Sequence, residues 1–71
     1  MVRKYSTTLH GHRTSFSLEE EFHLALKAIA DARRISLAGL IVEIDETRME
    51  NVNLSSALRV FVLRTLQVEK G

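Results

Sequence analysis

Residues Arg13 to Leu18 read RTSFSL. Thr14, Phe16 and Leu18 fall on one side of this run and Arg13, Ser15 and Ser17 on the other, which is the alternation of a strand with one buried and one solvated face. Upstream the parity reverses, because Tyr5, Thr7 and Leu9 carry the bulkier side chains at odd positions. Gly11 sits where the phase changes. A glycine there suits a bulge in one long strand or a turn between two short ones, and the sequence leaves both open.

Downstream, the period changes from two to about three and a half. Phe22, Ala25, Leu26, Ile29 and Ala30 match the template of an amphipathic helix. Ser17 followed by Glu20 has capping-box spacing; Glu19 to Glu21 favour the positive end of the helix dipole, and Arg33 and Arg34 the negative end. Ser36 is placed to cap a second helix whose stripe is Leu37, Leu40, Ile41 and Ile44, ending in the charged stretch Asp45 to Glu50. A polar connection with Asn51 and Asn53 leads to a third helix. Its stripe of Leu54, Ala57, Leu58, Phe61, Val62 and Leu66 is widened by Val60 and Leu63, so most of its circumference is apolar. A helix of that kind on so short a chain points to burial between subunits. Val68 to Gly71 are expected to fray.

The boundaries that follow are residues 1–12 as a basic arm or an extra strand, 13–48 as the strand-helix-helix core, and 53–67 as a C-terminal helix of the same domain. A chain of 71 residues buries little apolar surface on its own. Cysteine is absent, which removes disulfides and thiolate metal sites and leaves oligomerisation as the readiest source of further burial. No apolar run reaches the roughly 18 residues of a membrane span or sits where a signal peptide would, so a cytoplasmic location is expected.

The net charge is only +1, but it is unevenly spread. Arg3, Lys4 and Arg13 all precede the first acid, Glu19, and every acid except Glu69 then falls between Glu19 and Glu50. A solvated tail accounts for a basic N-terminus by itself. Its meaning changes if the neighbouring strand has a partner. A lone strand cannot leave its backbone groups unpaired, and no later segment reads as a strand. Two copies of Arg13 to Leu18, paired antiparallel about a two-fold axis, would bury Phe16 and Leu18 and display Arg13, Ser15 and Ser17 twice. Such a ribbon fits the major groove of B-DNA. The fold class expected is thus mostly α with one short strand, as an intertwined homodimer. The minor alternative is a hairpin within one chain, giving a monomer.

The RTSFSL strand running straight into the first helix, with ISLAGLI opening the second, resembles the ribbon-helix-helix family. The longer stretches HRTSFSLEEEFHLALKAIA and NLSSALRVFVL are similar to a short bacterial subgroup with an additional C-terminal helix, so that the likeness covers about Lys4 to Leu66. The resemblance implies a double-stranded DNA partner, a homodimer, and a transcriptional repressor associated with the nucleoid. It implies that the outward strand residues Arg13, Ser15 and Ser17 read bases and that the N-terminus of the second helix, at Ser36, Leu37 and Ala38, holds a phosphate. Arg3, Lys4 and His12 are further phosphate contacts by position and charge.

Blander readings stand beside these. Arg13 can be an ordinary surface arginine, Ser17 the cap of the first helix, and Arg3 and Lys4 part of a solvated arm. His10, His12 and His23 could be pictured as a metal or pH-sensing cluster, but no carboxylate or cysteine completes a ligand spacing, and neither metal nor cofactor is expected. No nucleophile elbow, phosphate loop or carboxylate pair gives catalysis a foothold, so the chain is read as a binding protein and not an enzyme. Two other functions remain: the antitoxin of a toxin-antitoxin pair, with a toxin as partner, and a dimeric protein-interaction module that leaves DNA alone, which the two serines and near-neutral charge favour.

Overall fold

A computed structural model describes the backbone of residues 1–70 and the side chains of residues 1–68. Two strands, β1 (Val2–Leu9) and β2 (His12–Glu19), precede three helices, α1 (Glu20–Ala32), α2 (Leu37–Thr47) and α3 (Leu54–Lys70). The phase change at Gly11 is a turn. His10 and Gly11 both have positive φ, 51° and 80°, as a two-residue type I′ turn requires. The strands pair antiparallel from Leu9 with His12 at the turn out to Val2 with Glu19. Each pairing joins an odd residue to an even one, which is why the apolar parity reverses: Tyr5 and Leu9 share a face with Phe16 and Leu18.

The expectation of one strand is therefore corrected to two, and β2 does not need a second copy of the chain to pair its backbone. The partner of β2 is β1 of the same chain. Closing a two-residue loop costs far less entropy than bringing in a second molecule, and the glycine makes the closure free of steric strain at that position. In such a hairpin the pair beside the turn exchanges both hydrogen bonds and every second pair repeats this, so the odd residues of β2 turn their N–H and C=O groups away from β1. At Ser17 α3 takes both groups. The Ser17 N–H donates to Ser55 Oγ at 2.9 Å, and Arg59 Nη2 donates to the Ser17 carbonyl at 3.2 Å. Ser17 thus remains in the strand and does not cap α1. That position belongs to Glu19, extended and without a side-chain cap bond.

The helices follow the apolar periodicity. Leu26 and Ala30 of α1, Leu40, Ile41 and Ile44 of α2, and Leu54, Leu58 and Val62 of α3 meet Leu9, Phe16 and Leu18 in one core. The inner face of the hairpin covers this helical layer, and its outer face is left to solvent. Between α1 and α2, Arg34 has φ 58°, the Arg34 N–H donates to Asp31 O at 3.0 Å, and the Ile35 N–H donates to Ala30 O at 3.0 Å. These bonds form a Schellman motif, which ends α1 and re-aims the chain. Ser36 caps α2 by accepting from the Gly39 N–H at 2.9 Å. Arg48 closes the other end, with Nε on Asp45 Oδ1 and Nη1 on the Val52 carbonyl, both at 2.7 Å. Asn53 caps α3 through the Ser56 N–H at 2.8 Å. Because α3 runs to Lys70, most of the segment expected to fray is helical; Gly71 lies outside the described residues.

Candidate nucleic-acid interface

The outer face of the hairpin is set by its register. Lys4 lies across from Ser17, Ser6 across from Ser15, and Thr8 across from Arg13. These are the pairs that do not exchange backbone hydrogen bonds, in which opposed side chains stand closest, at roughly 4.5–5.5 Å between Cβ atoms. Along each strand the same-face residues are two positions, or roughly 6.8 Å, apart. The face therefore offers two cations and four hydroxyls in two parallel rows. Lys4, Ser6, Thr8, Arg13 and Ser15 are exposed, and Ser17 is half-buried. A guanidinium can donate two parallel hydrogen bonds to a guanine edge, while a hydroxyl both donates and accepts and so suits several base edges.

Only one acid shares the face, at its far end. Glu19 accepts from Arg59 Nε at 3.1 Å. A hydrogen bond with its own backbone, and then the Arg59 side chain, hold its carboxyl below the usual carboxylate range. Its charge is thereby directed toward α3, and the rest of the face keeps a positive balance.

The residues anticipated from sequence separate into three groups. Arg13, Ser15, Ser17 and Lys4 come together on the outer face. Arg3 and His12 are exposed, but by register they share the parity of Leu18 and Leu9 and sit at the two ends of the inner face, so they do not join the other four. Ser36, Leu37 and Ala38 open α2 in the helical layer beneath the sheet. Ser36 and Ala38 are exposed there and Leu37 is half-buried. The first-turn N–H groups of Leu37 and Ala38 have no intrahelical acceptor, as at any helix start.

Ser6 and Thr8 were missed as face residues, as were Ser55 and Arg59 as anchors of Ser17. The signal for the first pair was present: once the His10–Gly11 turn is granted, even positions of β1 must share a face with odd positions of β2. No local signal marks the second pair, because Ser55 and Arg59 act on a strand about forty residues away.

The histidines have separate surroundings. His10 is in the turn and His12 opens β2. His23 lies against Tyr5, with ring centroids 4.0 Å apart and planes within 8°, and Tyr5 stacks in turn on Phe16. Burial, followed by the charge of Lys27, lowers the His23 pKa against a smaller opposing effect of Glu20. Among the described residues, no group of three or more His, Asp or Glu side chains is arranged to hold a metal ion, and no helix is long and apolar enough to cross a membrane.

Comparison with known families matches residues 2–66 to the model described as a ribbon-helix-helix domain. The matched span takes in both strands, α1, α2 and most of α3. No curated protein and no solved structure matches the chain.

Proposed function

The chain belongs to the ribbon-helix-helix family, a family of DNA-binding regulators, and from that premise we propose that it is a transcriptional repressor that enters the major groove with the outer face of its own hairpin. The observation that carries this reading is the outer face itself, with exposed Lys4, Ser6, Thr8, Arg13 and Ser15 on two paired strands and its single acid turned to Arg59. A two-stranded ribbon has the width that the roughly 12 Å major groove admits. In this reading Arg13 is the principal base reader, Ser15 and Ser6 bond to base edges beside it, and Ser17 contributes from its half-buried place. Lys4 and the start of α2 at Ser36, Leu37 and Ala38 hold phosphates, with Arg3 and His12 as peripheral contacts. The protein binds and does not catalyse, and it acts at the nucleoid in the cytoplasm.

The intrachain hairpin changes what a dimer is for. The ribbon no longer requires two copies, and a homodimer instead presents two ribbons to two half-sites, whose spacing reports the distance between them. The test is binding to random-sequence duplex as salt is raised. Affinity that falls steeply with salt supports phosphate engagement by the hairpin. An intact chain that ignores duplex even at low salt overturns the reading and leaves a protein-interaction module.

A further inference from the structure

Between the end of α2 and α3 runs a groove of about 390 Å³. Ile44, Val52, Ala57, Val60 and Phe61 form its apolar walls, and Thr47, Arg48, Ser56 and Arg64 are its polar residues. A mostly apolar cleft with a few placed polar groups has the make-up of a small-molecule site. We propose that this groove binds a medium-chain monocarboxylate, with the carboxylate on Arg64 and the alkyl chain laid along α3 over Val60 toward Ala57.

Charge selects the head group. Thr47 spends its hydroxyl on the Ile44 carbonyl at 3.1 Å. Arg48 is balanced by Asp45 and fixed by a further bond to the Val52 carbonyl. Arg33, whose guanidinium lies 5.3 Å from the centre of the Phe61 ring, has Glu43 at 3.9 Å. Among the described residues, no acid pairs with Arg64. No acid lines the groove either, since Glu46 and Glu50, exposed near the end of α2, are not part of its walls. One uncompensated guanidinium, with N–H groups that can donate in parallel, suits one carboxylate. A dianion such as a phosphate monoester would need a second free cation, and Arg48 and Arg33 are already partnered.

Spacing selects the body. Ala57, Val60 and Arg64 follow one another at intervals of three and four residues, which places them on one face of α3. From Ala57 to Arg64 the helix rises roughly 10 Å, at 1.5 Å per residue. An extended eight-carbon chain, advancing roughly 1.3 Å along each of its C–C bonds, has nearly that length. Its methyl end stops short of the Ser56 hydroxyl, which therefore keeps its access to water. Volume agrees with length: at about 30 Å³ per non-hydrogen atom, the share of one water molecule, the groove of about 390 Å³ holds roughly a dozen atoms, enough for octanoate.

Titration calorimetry of the full chain with octanoate tests the proposal, with amide-shift mapping to locate the ligand and far-ultraviolet circular dichroism as the check on folding. Binding should saturate, with a dissociation constant roughly in the millimolar range expected of so small a ligand. The largest shifts should fall on Ile44, Val52, Ala57 and Val60. Arg64→Gln should weaken binding about tenfold by removing a charge-assisted hydrogen bond, and because Arg64 is exposed it should leave the helical signal intact. Val60→Glu, which sets a like charge in the path of the chain, is an independent variant and should also lose binding. Arg34→Gln removes an arginine outside the groove and should leave the affinity unchanged. Octan-1-ol, with the chain but no charge, and acetate, with the charge but no chain, should each bind about tenfold more weakly or worse. A native chain with no saturable binding, an Arg64→Gln chain that binds like the native one, or octan-1-ol that binds as well as octanoate overturns the inference. Titrations at low and at high protein concentration should give the same affinity; an affinity that falls as protein is raised would mean that another copy of the chain fills the groove, and would overturn it too. None of these results touches the hairpin reading, which the salt titration with duplex tests separately.

Discussion

Ser17 donates its backbone N–H to the hydroxyl of Ser55, 2.9 Å away and 38 residues further along the chain. With the Arg59 bond to the Ser17 carbonyl, it ties the C-terminal end of β2 to α3 and removes unpaired groups at that point of the edge that would otherwise be open to another strand. Ser55→Ala leaves this part-buried N–H without its acceptor. The variant should lose about 1–2 kcal/mol of stability, read as a lower midpoint in urea with an unchanged slope. An unchanged midpoint would show that water replaces the hydroxyl at no cost.

The turn gives two substitutions of opposite sign. His10 has φ 51° and Gly11 φ 80°, and Asn-Gly is the preferred pair for such a turn. His10→Asn should therefore stabilise the chain by roughly 0.5–1 kcal/mol. A Cβ on Gly11 would meet nothing within 4 Å, so Gly11→Ala reports backbone conformation alone and should cost about 1–2 kcal/mol. Thermal melts of the two variants decide this. Shifts in the same direction would contradict the intrachain turn.

The helices were legible in the sequence because each buries a stripe that recurs at helical spacing, and Leu26, Leu40, Ile41 and Leu58 lie in the core where that spacing puts them. The Ser36 cap was legible for a similar reason, since its partner Gly39 is three residues away. The hairpin was only half legible. Alternation marked β2, and the reversed parity at Tyr5 to Leu9 recorded the turn, but a bulge satisfies the same pattern, and only the pairing of β1 with β2 separates the two. The reading of Ser17 as a strand residue and its alternative as a cap stayed open in the sequence because a local serine-to-glutamate spacing cannot reveal a competing partner on α3. On the outer face, Arg13 and Ser15 followed from β2 alone, whereas Ser6 and Thr8 required the register.

Binding should distinguish the two faces of β1. Arg13→Ala should cost about 1–3 kcal/mol on a preferred site and relax discrimination there, while Lys4→Ala should weaken all duplexes alike and reduce the salt slope by about one. Arg3, its neighbour on the opposite face, should matter less, and Arg3→Ala should change the slope by a smaller amount than Lys4→Ala. Titrations at several salt concentrations compare the three. Equal effects of Arg3 and Lys4 would mean that charge near the N-terminus acts without regard to the register.

His23 predicts the direction of a pH effect. Its folded pKa lies below the ordinary imidazole value of 6.5, so the unfolded chain takes up the proton first. The favourable contribution of the neutral ring is fully present above 6.5 and is lost as pH falls from there through the lowered folded value. Stability should decline over that interval, and His23→Phe, which keeps an aromatic ring against Tyr5, should flatten the decline. Urea midpoints measured across the interval for both chains test this. A native chain with no slope there would sever the link between burial at Tyr5 and the titration of His23.

The central claim is that the outer face of the hairpin is what touches DNA. The most direct measurement is amide chemical-shift mapping of the isotope-labelled chain as short random-sequence duplex is added at low salt. The account predicts that the largest shifts fall on Lys4, Ser6, Thr8, Arg13 and Ser15, with a smaller response at Ser36 to Ala38 and little change along Val60 to Leu66. Shifts confined to the helices, with the hairpin residues unmoved at saturation, would contradict it.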